Sequence, residues 1–167
     1  MATSRLYALL GLLGSAAALA DLTAIKAGNL PQQPAVLSAL ADAIQLEPYA
    51  RTWTDSWRHP VPRTEVADRL AKDLAALGSA LKENPQSLEL SLLTGEVARY
   101  AYNLDVAGSH DTNLIALEAA QALAPGDVRG RWFRAAFSCQ AGHSKDGAEE
   151  FLDRKSTRLN SSHITIS

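Results

Sequence analysis

The residues of this chain that could carry bond chemistry are few: four histidines, one cysteine and a scatter of carboxylates. A zinc site needs three or four ligands, with two of them often a helical turn or a tight loop apart. A nucleophile needs a base within hydrogen-bond reach and a third group to orient that base. His59, His110 and His143 stand far apart, each beside a predicted turn, and none belongs to a His-x-x-x-His or Cys-x-x-Cys pattern. They read as surface histidines. Cys139 is alone, so there is no internal disulfide. Its spacing puts it on an apolar helical face, as a small core residue. Gly11-Leu12-Leu13-Gly14 lies in an apolar run and is no phosphate loop, and there is no Gly-x-Ser-x-Gly elbow. Glu149-Glu150 fits a solvated helix face. The expectation is therefore no catalytic residue, no cofactor and no metal site: this segment is not an enzyme.

Composition points to a packed helical protein. Hydrophobic residues make up 47% and charged residues 20%, which suits a globular chain rather than a disordered one. Alanine and leucine dominate while β-branched and aromatic residues are sparse, favouring helix over sheet. The net charge of −2 comes with no clustered basic face, so no nucleic-acid partner is expected.

The N-terminus has the form of an export signal. Arg5 precedes the apolar stretch Leu6 to Ala20, which ends in Ala18-Leu19-Ala20 before Asp21. Residues 1–20 are expected to be a signal peptide cleaved after Ala20. The stretch is short for a membrane span, which takes about 20 residues. Two alternatives stay open: one helix from Leu6 to Ala27 as an uncleaved N-terminal membrane anchor, or a buried soluble helix. The protein is thus expected to be exported, periplasmic or secreted, with inner-membrane anchoring as the variant. Any membrane contact is expected only through an uncleaved N-terminal helix.

The opposite end differs in kind. Asp153 to His163 reads DRKSTRLNSSH, and one choice of codons for it resembles the ligated adapter of a common short-read sequencing library. Ile164 to Ser167 fits an index followed by the adapter's next bases. The stretch has no apolar period. The resemblance implies that residues 153–167 are an adapter-derived, disordered artefact and that the natural chain runs on past Leu152. The cluster Arg154, Lys155 and Arg158, the Asn160-Ser161-Ser162 glycosylation pattern and His163 then carry no meaning.

Between these ends the chain is punctuated into helices. Residues 21–33 are expected to be a linker or short helix. Leu37, Leu40, Ala41 and Ile44 line one face of a helix from Pro34 that Pro48 stops. Tyr49 to Arg58 is a short helix or turn, broken again at His59-Pro60-Val61-Pro62. Thr64 caps a helix whose stripe is Val66, Leu70, Leu74, Leu77 and Leu81. Asn84-Pro85 opens the next, with Leu93, Val97, Tyr100 and Leu104 as its face. Asp111 caps a helix bearing Leu114, Leu117, Ala120 and Leu123. Asp127 caps one bearing Val128, Trp132, Ala135, Ala136 and Cys139, with Phe133 and Phe137 beside it. Gly142 ends that helix, and Ser144 opens a last one. No segment alternates like a strand.

The helices repeat. Ala-x-x-Leu-x-Pro occurs at Ala43, Leu46 and Pro48 and again at Ala120, Leu123 and Pro125, with a weaker copy at Ala80 and Pro85. Leu40, Leu77 and Leu117 stand eight places before the three prolines. Thr94-Gly95 and Gly142 fall on further positions of the same pattern. Residues 34–152 resemble the tetratricopeptide repeat (TPR) family, with spacings wider than its roughly 34-residue period. The resemblance implies an all-α domain of antiparallel helix pairs stacked as a short right-handed superhelix, truncated at its C-terminal end. It also implies a groove lined by the first helix of each pair, here Glu89, Leu92, Glu96, Arg99, Arg129 and Trp132. Glu96 and Phe137 replace the asparagines with which chaperone-type members hold a terminal carboxylate, so that activity is not implied. The expected function is a protein- or peptide-binding scaffold in the bacterial envelope. The alternative is an accessory segment of a larger membrane or secreted enzyme.

Overall fold

The computed structural model describes residues 22–51 and 57–142. Among these residues there is no strand. Two 3₁₀ turns, Leu22–Ala24 and Ala27–Asn29, lead into five helices: α1 (Pro34–Ala50), α2 (Arg63–Glu83), α3 (Leu88–Asn103), α4 (Ser109–Leu123) and α5 (Val128–Gln140). Neighbours in sequence run antiparallel and pack against one another. The expected signal peptide or anchor, Trp53, His143, the helix from Ser144, Glu149-Glu150 and the adapter-like tail all lie outside the described residues. Among the described residues no helix is long and apolar enough to cross a membrane.

The centre of the fold is α3, which touches all four other helices. A helix with neighbours on every side must be apolar or satisfied all round. From Glu89 to Ala101 every α3 residue is buried, including Leu90, Leu92, Leu93, Val97 and Tyr100. Its other face is set by a close approach. A methyl group added at Gly95 would run into Cδ2 and Cγ of Leu117 on α4. Glycine is needed there for space, since its backbone is ordinary helix. The Asn113 amide on α4 donates to the Gly95 carbonyl at 2.7 Å, tying the same crossing. The repeated alanines Ala43, Ala80 and Ala120 are all buried, small residues at positions where helices approach.

Several helix boundaries and faces differ from the expectation. Helix α1 continues through Pro48 to Ala50. Pro48 is exposed, so the carbonyl it frees at Ile44, itself 54% exposed, lies on the water side where its lost hydrogen bond costs least. Its buried face is Val36, Ala39, Ala43, Leu46 and Ala50, while Leu37 and Ile44 face out. Both rows have helical spacing. The row with more alanine turns inward because it lets α1 approach α2 and α3 closely.

Thr64 lies inside α2 rather than capping it, and Pro62 holds the cap position. The expected α2 stripe is otherwise in place, with Leu74 and Leu81 partly buried against the core. Asn84 closes α2 instead of opening α3: its N–H returns to the Ala80 carbonyl at 2.9 Å. Ser87 takes over as N-cap of α3, its Oγ accepting from the Leu90 N–H at 3.3 Å. Likewise Gly108, with φ of 75°, sits at the N-cap of α4, which starts before Asp111. Asp127 caps α5 as expected, accepting from the Arg129 N–H at 2.9 Å, and Gly142 follows its end with φ of 84°. The inward face of α5 is Gly130, Phe133, Ala135 and Phe137, with Ala135 buried as expected, whereas Val128 and Cys139 are exposed. The two phenyl rings outcompete a small thiol and a valine for the core.

Candidate functional site

The residues expected to line a groove do converge. Glu89, Leu92, Glu96 and Arg99 form one row along α3, spaced by three and four, and Arg129 of α5 meets it at Glu89, with Trp132 one turn further along α5. The row is not open to solvent. Leu92 and Glu96 are fully buried, Arg99 is 2% exposed and Glu89 is 4% exposed. Arg129 keeps slight exposure, and Trp132 is half-buried against the core. What covers the row is the chain that precedes α2.

At the α3 N-terminus, Glu89 and Arg129 grip the segment between the two 3₁₀ turns. Arg129 donates Nη2 to Glu89 Oε1 at 2.8 Å and Nη1 to Glu89 Oε2 at 2.9 Å. Its Nε and Nη2 reach Asp127, the latter at 2.7 Å. The same Nη1 also donates to the carbonyl of Ala24 at 2.7 Å, and the Lys26 N–H donates to Glu89 Oε2 at 2.7 Å. Three apolar side chains of the segment, Leu22, Ile25 and Leu30, are buried in the core cluster. Hydrogen bonds from Arg129, outweighing partial burial, hold the Asp127 carboxyl below the usual range. Its bonds to Asp127 and Glu89 hold Arg129 firmly protonated. Glu89 also lies in the first turn of α3, where the helix dipole favours negative charge.

Further along the row, Glu96 and Arg99 form an ion pair buried on both sides, Nη2 to Oε2 at 2.6 Å. Burial opposes the charge on Arg99, but Glu96's charge and hydrogen bonds overcome it and raise the guanidinium's pKa. Arg99 Nη1 donates to the Arg51 carbonyl at 2.9 Å, and Gln140 Nε2 donates to the same oxygen at 2.8 Å. Asn103 Nδ2 donates to the Ala50 carbonyl at 2.9 Å. These carbonyls are the unpaired end of α1, where a helix leaves acceptors free and carries partial negative charge. The buried guanidinium answers both needs.

The remaining chemistry-bearing residues stay apart. His59 Nδ1 accepts from the Val61 N–H at 3.0 Å, and its ring meets Tyr49 edge-on. His110 pairs with Asp111 at 3.0 Å and packs against Tyr102 and Phe137, beside an open cleft that Asp105 and Gln140 also line. Among the described residues no three of His, Cys, Asp and Glu stand close enough to hold one metal ion.

Sequence reasoning missed Asn103, Gln140 and Asp127 as members of these clusters. Asn103 is one turn beyond Arg99 on the same face, so extending the row would have found it. The main-chain groups of Ala24, Lys26, Ala50 and Arg51 carry no sequence signal at all. No protein-family model, curated protein or solved structure matches the chain.

Proposed function

We propose that this chain is a TPR-like scaffold module of the bacterial envelope that binds a protein or peptide segment reversibly and does no bond chemistry in the described region. The helices would stack as a short right-handed superhelix, buried repeat against buried repeat. The antiparallel neighbours, the buried alanines at matching positions and the Gly95–Leu117 crossing support that stacking. The export pattern at residues 1–20 supports the compartment.

One observation carries the binding reading. Residues of α3 and α5 hold the Ala24–Lys26 stretch by its backbone, between one carboxylate and one guanidinium. Backbone capture beside apolar pockets is how peptide-recognition surfaces combine affinity with selectivity.

An array of random dodecamer peptides probed with the purified chain tests this. The expected result is a set of bound peptides sharing an apolar spacing, with binding weakened when Arg129 is replaced by methionine. An array with no peptide above background, on a chain shown to be helical, would sink the scaffold reading.

A further inference from the structure

The Leu22–Leu30 segment is held by its backbone between Glu89 of α3 and Arg129 of α5, as a ligand would be. Its specific contacts reach residues distant in sequence: Lys26 to Glu89 and Ala24 to Arg129. Its buried anchors are Leu22, Ile25 and Leu30. Its own internal order is two short 3₁₀ turns, held at the backbone by i→i+3 bonds from Ile25 to Leu22, Asn29 to Lys26 and Leu30 to Ala27. Short 3₁₀ turns have little stability of their own, so the surface imposes the shape. The polar part of the seat is biased in charge. Glu89 and Asp127 face one Arg129, and the Lys26 ammonium adds to the pull that holds Asp127 ionised.

Building on the scaffold reading, we propose that this face is a docking site for a partner protein's segment of the same make. That segment carries apolar side chains at the places of Leu22, Ile25 and Leu30 and a basic residue with a free N–H at the place of Lys26. The chain's own Leu22–Leu30 occupies the site in cis until the partner displaces it. A second copy of this chain is a poor occupant. Exchange would remake the same contacts, while giving up the millimolar effective concentration that a short tether confers. A partner gains by offering a better anchor at one of the three apolar places or a stronger cation at the fourth. Glu89 and Arg129 are then the recognition pair: one accepts from the ligand's backbone and the other donates to it, so they read chain direction, while the apolar seats read spacing.

The test uses the full chain with Ile25→Asp, which ejects the cis segment by placing a carboxylate in its buried seat. Its ligand is a fluorescent synthetic peptide of residues 21–33. Anisotropy should show the variant binding the peptide at least tenfold more tightly than the unaltered chain, whose own segment competes. N-methylation at the peptide's Lys26, which removes the N–H that Glu89 accepts, should weaken binding about tenfold or more. Lys26→Glu in the peptide should also weaken it, through Glu89 and Asp127. Circular dichroism checks that the variant is folded. If it is not, Lys26→Pro in the chain removes the same N–H and keeps all three anchors. A folded variant that ignores the peptide overturns the docking site. If it still binds other array peptides through Arg129, the scaffold reading survives. If it binds none, both fall. Dimers of the unaltered chain that Ile25→Asp dissolves would assign the surface to a second copy and overturn the partner.

Discussion

Arg129 of α5 meets Glu89 of α3 with two parallel hydrogen bonds, at 2.8 and 2.9 Å, and each residue spends a further bond on the backbone of the chain between Ala24 and Lys26. The pair therefore joins three parts of the molecule: the N-terminal segment, the central helix and the last described helix. Removing the guanidinium strands a buried carboxylate. Arg129→Met is expected to lower stability by about 3–5 kcal/mol, read as a shifted urea midpoint. Arg129→Lys should recover only part of the loss. An ammonium's three donors cannot reproduce the guanidinium's bonds to both oxygens of Glu89 and of Asp127 together with the Ala24 carbonyl. A loss of under about 1 kcal/mol for Arg129→Met would place the pair among ordinary surface bridges.

The Glu96–Arg99 pair is more deeply buried, and its removal should show the asymmetry of such pairs. Arg99→Met alone takes the paired guanidinium away from the buried Glu96 carboxylate and is expected to cost about 3–5 kcal/mol. The double change Glu96→Leu with Arg99→Met should regain at least half of it. Gln140 still holds the Arg51 carbonyl, so the end of α1 keeps a donor. A double-mutant cycle by denaturant unfolding measures the coupling, and additive losses would contradict the pairing.

Gly95→Ala tests the α3–α4 crossing. Alanine improves helix propensity by about 1 kcal/mol, yet its methyl group meets the side chain of Leu117, which is fully buried and would have to shift within the core. The net effect is expected to be a loss of about 1–3 kcal/mol. Adding Leu117→Ala should cost less than the sum of the two single changes, because the new methyl partly fills the space. A stabilising Gly95→Ala would mean that the crossing is loose.

Asp73 should leave a signature in the pH dependence. It sits on the inward face of α2, and its Oδ2 has no hydrogen-bond partner among the described residues. Burial and the nearby Asp42 push its pKa from 3.8 to about 6, against the smaller opposing pull of Arg69. The folded state therefore holds a proton between about pH 4 and pH 6 that the unfolded chain has released. By linkage, its contribution to stability falls as pH rises through that window, by an amount on the order of 2 kcal/mol. Asp73→Asn should remove this slope and raise stability at pH 7. Thermal melts across pH 4 to 8 compare the two proteins, and equal slopes would refute the assignment.

Much of the helical order was legible in the residues. The stripe of α2, the face Leu93, Val97, Tyr100 and Leu104 of α3, the Asp127 cap and the Gly142 stop all lie where periodicity and capping chemistry put them. The errors fall where two local signals compete. Asn84 and Ser87 are both good caps, and only the turn between α2 and α3 decides which one opens a helix. Val36-Ala39-Ala43 and Leu37-Leu40-Ile44 are both helical rows, and only the neighbours of α1 decide which is buried.

By itself, then, the sequence determined the class, most of the helical stretches and the row of residues that became the site, because spacing along a helix is a local property. Tertiary structure alone decided that this row is covered. Its polar residues are satisfied by backbone groups of the Ala24–Lys26 stretch and of the end of α1. Every residue but proline carries the same N–H and C=O, so no pattern of side chains marks which of them will meet a buried charge. That choice is made only when the helices are packed.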